Sequence, residues 1–152
     1  MVCRKIRNGL VAGFCGTVVH SLLVLIHSGA GPLPGFQPND DIQRAASWLV
    51  GNEVPPAVAW LLSFVNGAII WGFVFGQAYR FLPGSRPWLK GVSFGLFAWL
   101  AMGLGFFPLV GRGLFAIKLG LGIAPAMLML VALLSYSVTM SLVYDFLEKR
   151  FG

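Results

Sequence analysis

Two histidines stand where the surrounding residues leave little to hold them. His20 lies inside a long apolar run, and His27 follows on the same run. A neutral imidazole at that depth can ligate the metal of a haem or a chlorophyll-type pigment, or hold a quinone by hydrogen bonding. Ionisable groups inside a bilayer are costly and often functional. The competing reading of His20 is a neutral side chain satisfied by a neighbour such as Ser63, Asn66 or Ser135. On one helix the two histidines would be about 10 Å apart along one face. They therefore cannot grip a single haem iron from opposite sides, and the chain has only 2 histidines. His27 reads more simply as an interfacial residue. Asn66 is the next polar residue expected at depth, where an interhelical hydrogen bond is worth about 0.6–2 kcal/mol. His20, His27 and Asn66 are thus the candidate cofactor-binding positions, for haem, pigment or quinone contact. No intrinsic cofactor is required, and lipid is the expected companion.

Other chemistry lacks its residues. The 2 cysteines, Cys3 and Cys15, make no metal-binding spacing. On one helix they would lie about 18 Å apart, too far for a disulfide. No Ser/His/Asp set assembles at depth, and no carboxylate falls inside an apolar run. Ser135, Ser137, Thr139 and Ser141 spread over several helix faces, where bonding to the preceding turn accounts for most of them. The sequence therefore predicts no catalytic residue, no metal site and no enzyme.

These residues are carried by four apolar runs, about 9–27, 57–79, 91–110 and 123–144. A helix needs roughly 20 residues to cross the hydrocarbon core. None of the runs contains Asp, Glu, Lys or Arg. Composition agrees: of the 152 residues 57% are hydrophobic and 11% charged, against about 25% charged in a soluble domain. Mean hydropathy is +0.81. The expected fold is all-α, an integral membrane four-helix bundle in a single domain, 1–152. The first run is longer than a signal-peptide core, which argues for a retained span.

The formal charge of +6 would suggest nucleic acid in a soluble protein. Here the basic residues flank the spans, as anchors do, and no nucleic-acid partner is expected. Arg4, Lys5, Arg7, Arg80, Arg86, Lys90, Lys149 and Arg150 fall on one side; only Arg44, Arg112 and Lys118 fall on the other. The positive-inside rule then predicts both termini in the cytoplasm. On the outer side, 40–50 is an interfacial helix whose Ile42, Ala45, Ala46 and Leu49 share a face. It follows a stiff stretch, Gly29-Ala30-Gly31-Pro32-Leu33-Pro34-Gly35. The segment 111–122 is too short to span and too apolar to extend into water. The two halves, each an outward helix, a Pro/Gly turn, an interfacial segment and a return helix, suggest two parallel-related hairpins.

Small residues mark the packing faces, because lipid supplies no hydrophobic drive between helices. Gly9, Gly13 and Gly16 line one face with His20; Ala68, Gly72 and Gly76 repeat every four; Gly91, Gly95 and Ala98 align on the third run. They predict either close packing within the bundle or docking against other transmembrane subunits.

A longer pattern joins these features. Phe64, Gly67, Trp71-Gly72, Phe75, Leu82-Pro83-Gly84, Lys90-Gly91, Phe94-Gly95, Trp99-Leu100, Pro108, Gly111, Gly113-Leu114-Phe115 and Leu119-Gly120 resemble an uncharacterised family of small four-span bacterial membrane proteins. Tyr136 and Tyr144 fit the same pattern. The resemblance implies a bacterial inner-membrane protein and no particular activity. It also implies histidines where Ser63 stands and near Leu133, and this chain lacks both. The leading expectation is a non-catalytic accessory subunit of a larger membrane complex of respiratory or photosynthetic type. The alternatives are a haem-, pigment-, quinone- or lipid-binding protein using His20, and a small channel or transporter. No disulfide-linked partner is expected.

Overall fold

The computed structural model of the chain describes residues 2–30 and 38–151, with side chains over 3–27 and 39–151. The Pro32-Leu33-Pro34-Gly35 turn lies outside the described residues. Five α-helical elements follow one another: α1 (Val2–Ala30), α2 (Pro38–Val50), α3 (Pro56–Ala78), α4 (Pro87–Leu109) and α5 (Ala124–Phe151). A short 3-10 helix, Leu114–Leu119, links α4 to α5. Four of the helices, α1, α3, α4 and α5, are long and apolar enough to cross a membrane. Among the described residues there is no strand. This is the all-helical four-span bundle that the apolar runs require.

The helix ends differ from the apolar runs in a consistent way. α1 starts at Val2, ahead of the apolar run, and α5 continues to Phe151. Charged residues do not interrupt a helix once it leaves the hydrocarbon core, and here they hold the two ends together. Arg4 lies 3.7 Å from Glu148, and the buried Asn8 donates to Glu148 at 2.8 Å. Both termini therefore lie at one end of the bundle. α3 and α4 open with Pro56 and Pro87 in their first turns, where the missing N–H costs little.

α1 is the hub. It packs on α3 along one side and on α5 along the other, while α4 packs on α5. Glycines set these approaches. A Cβ on Gly9 or Gly13 would lie 2.6 Å or 2.5 Å from a backbone carbonyl oxygen of α3, that of Gly72 or Ala68. One on Gly91 would lie 2.7 Å from Val138 Cα of α5. Gly9, Gly13, Gly16, Ala68, Gly72, Gly76, Gly91, Gly95 and Ala98 are all buried within this chain. The outward faces carry Leu22, Leu25, Ile26, Ile69, Ile70 and Phe97, all exposed and suited to lipid.

Two of the spans are not plain α-helix. Asn66–Trp71 of α3 and Met102–Phe106 of α4 are π-helical, each a widened turn. The second has an evident cause. Pro108 offers no N–H to the turn before it and crowds the carbonyl four residues back. π-turns are rare and concentrate at functional sites.

The connections at the α2 end pack down on the bundle. In the 3-10 segment Phe115 and Ala116 both have positive φ, 50° and 61°. That backbone turns the Phe115 ring onto Gly103, where no side chain blocks it, and against Trp99 at 4.7 Å. Ala116 is fully buried. α2 is fixed by Asp41, also fully buried, which accepts a 2.7 Å hydrogen bond from Arg112. The exposed Trp48, Leu49 and Val50 close its C-terminal end.

Candidate functional site

The halves of α3 and α4 nearest α2 do not lean on each other. α3 there rests on α2 and α1, and α4 rests on the 3-10 segment, with Trp99, just before that half, donating to the Ala126 carbonyl of α5. A cavity of about 240 Å³ lies between them, lined by all four spans and by α2. α1 gives Thr17 and His20, and α5 gives Met129, Leu133 and Tyr136. The two π-turns face it from opposite sides, through Asn66, Gly67 and Trp71 on α3 and through Met102 and Phe106 on α4. Asn66 and Ala101, one on each side, are both exposed. The cavity therefore opens sideways, between α3 and α4, toward the region lipid would occupy.

Towards the termini an aromatic stack closes it. Trp71 meets Phe94 edge-on at 5.8 Å, and Phe75 meets Phe94 at 5.0 Å and Tyr144 at 5.8 Å. At the other end α2 forms the roof through Asn39 and Ile42. The buried Asp41–Arg112 pair holds that roof to the far side of the bundle.

The polar groups are ordered by bonds to backbone. Tyr136 donates its hydroxyl to the Gly67 carbonyl in the π-turn of α3 at 2.7 Å. Thr17 donates to the Gly13 carbonyl one turn back at 2.8 Å. The His20 Nδ1 is buried without a hydrogen-bond partner. The His20 and Tyr136 rings stand edge to face at 6.2 Å. A buried polar atom with no partner costs about 1–3 kcal/mol, and such atoms in native proteins call for an explanation.

Of the three residues singled out by type, the fold brings together two. His20 and Asn66 line the same cavity; His27 does not. His27 is only 6% exposed, packed against α5 beside a second cavity of about 90 Å³. Ser63 and Leu133 both line the main cavity. Among the described residues no group of three or more His, Cys, Asp or Glu side chains could hold a metal ion. Sequence reasoning missed Thr17, Trp71, Ala101 and Phe106. Tyr136 carried a usable signal: a mid-span tyrosine must find a partner for its hydroxyl.

The family's sequence model matches residues 3–151, nearly the whole chain. The chain belongs to DUF6789, a family of unknown function. No curated protein and no solved structure matches it. This DUF6789 chain is thus a four-span bundle with a mostly apolar cavity, carrying a few polar groups, between α3 and α4.

Proposed function

We propose that this DUF6789 protein binds a small lipophilic molecule taken laterally from the bilayer. The observation that carries the reading is the cavity itself. It is a mid-membrane space with polar side chains from Thr17, His20, Asn39, Ser63, Asn66 and Tyr136, opening between α3 and α4. Ligand sites are concave, mostly apolar and equipped with a few placed polar groups. A cavity of about 150 Å³ holds benzene. One of about 240 Å³ suits a substituted single ring, and lies below the roughly 300–1,000 Å³ of sites for drug-sized ligands. Size therefore favours a quinone-like or lipid headgroup over a haem or chlorophyll macrocycle. The protein acts as a binder and carries out no catalysis.

The accessory-subunit reading drew on small-residue faces free for other subunits. In this fold those faces are filled by the chain's own helices, so the lipophile reading has the stronger support. We place the protein in a bacterial inner membrane with both termini in the cytoplasm, on the strength of the basic residues at the terminal end.

The test is gentle extraction of the full chain, followed by mass spectrometry of what it retains. The reading expects a neutral lipophile in near-stoichiometric amount, lost in Ala101→Trp, which fills the mouth of the cleft. Equal retention by wild type and variant would refute it. Retention of protein subunits in place of a lipophile would favour the accessory reading.

A further inference from the structure

We infer that the cavity selects an uncharged lipophile that brings its own hydrogen-bond donor, a phenol or quinol ring on an apolar tail. The inference rests on the binding reading above and follows from where the hydrogens go. A hydroxyl has one hydrogen and a neutral imidazole one N–H. Thr17 gives its hydrogen to the Gly13 carbonyl and Tyr136 to that of Gly67. Both hydroxyls on the α1–α5 wall are thus committed to backbone and have only lone pairs left. Beside them the Nδ1 of His20 is buried and unpartnered, and on a neutral ring with the proton on Nε2 it too is an acceptor. A ligand whose only polar atoms are carbonyl oxygens would set lone pairs against lone pairs there. A ring hydroxyl matches them. Asn39 in the roof keeps a buried, unpartnered amide N–H group, and Ser63 and Asn66 on the opposite wall can donate or accept, so the oxygen of the same hydroxyl finds a donor while its hydrogen goes to the α1–α5 wall.

Charge and shape narrow the class further. Among the described residues no Lys, Arg, Asp or Glu lines the cavity. A carboxylate, phosphate or ammonium headgroup would sit there unpaired, which is prohibitive in an apolar medium. The rings of Trp71, Phe106 and Tyr136 in the lining offer flat surfaces to a flat ring. The gap between Asn66 and Ala101 gives an apolar tail a way out into lipid.

The test compares 4-heptylphenol with its methyl ether, which keeps the ring and oxygen and loses the donor. Each is titrated into the full chain in lipid nanodiscs, with partition into empty nanodiscs subtracted and tryptophan fluorescence as readout. The expected result is a phenol at least about tenfold tighter, the equivalent of one hydrogen bond of about 1.4 kcal/mol. Ala101→Trp should abolish the binding of both. In His20→Phe the preference should shrink, while His20→Gln, which keeps an acceptor, should retain part of it. Equal affinities in wild type, both lost in Ala101→Trp, would overturn the donor inference and leave the binding reading standing. Binding of either compound unaffected by Ala101→Trp would overturn both. The wild-type comparison needs no variant, so a His20 substitution that fails to fold does not rescue the inference.

Discussion

Replacing Gly13 by alanine is the most direct assault on the helix pair that carries the cavity. The new Cβ would lie 2.5 Å from the Ala68 carbonyl oxygen and 2.7 Å from Gly72 Cα. Ordinary contact begins near 3.4 Å, so α1 and α3 must part by about 0.9 Å at this point. Both obstacles are backbone, and no rotamer change relieves them. Overpacking of this kind costs about 1–3 kcal/mol. The upper end is expected, since parting the helices also opens the Gly9 contact with Gly72 and Gly76. Gly105→Ala is the matched control, because no heavy atom lies within 4 Å of its built Cβ. There the gain in helix propensity should stabilise by about 0.5–1 kcal/mol. Reversible unfolding of both variants in mixed micelles, followed by circular dichroism, measures the difference. A Gly13→Ala protein within about 0.5 kcal/mol of wild type, or no more damaged than Gly105→Ala, would refute the close-approach argument.

Three further outcomes are expected. Arg112→Ala leaves the buried Asp41 only the exposed Arg44, 3.9 Å away, and should destabilise by about 1–3 kcal/mol. Limited proteolysis should show α2 released, and Asp41→Asn in the same chain should restore part of the loss. Tyr136→Phe removes the bond to the Gly67 carbonyl and should lower unfolding stability by about 1 kcal/mol, with helix content unchanged. Cys3 is exposed and Cys15 is half-buried within the span; a membrane-impermeant maleimide should label Cys3 from the cytoplasmic side alone and spare Cys15.

The spans were legible because an apolar run of that length has few other fates. The glycine faces were legible too, since close helix approach in lipid needs small residues at fixed spacing. The helices α1 and α5 run past their apolar runs, since apolar content stops before the helix does. The π-turns left almost no trace: one residue more in a turn changes neither composition nor apolarity, and only Pro108 hinted at the second. The cavity was illegible for a deeper reason. It exists where α3 and α4 fail to meet, and a stripe of residues can encode a contact far more plainly than a gap. His20 and Asn66 were found by type, but their shared wall with Thr17 and Tyr136 depends on helices brought together over long sequence distances. The Asp41–Arg112 pair was hidden likewise, since both residues suit an exposed connection.

The widened turn at Asn66–Trp71 also corrects a mismatch of pitch. Residues spaced by four creep around a regular α-helix by about 40° at each step, because a turn takes 3.6 residues. Ala68, Gly72 and Gly76 would therefore wind away from a straight neighbour. A turn that holds more residues creeps the opposite way, and it falls between the first two of these three. The two drifts offset one another, and all three small residues meet α1: Ala68 and Gly72 at Gly13, Gly72 and Gly76 at Gly9.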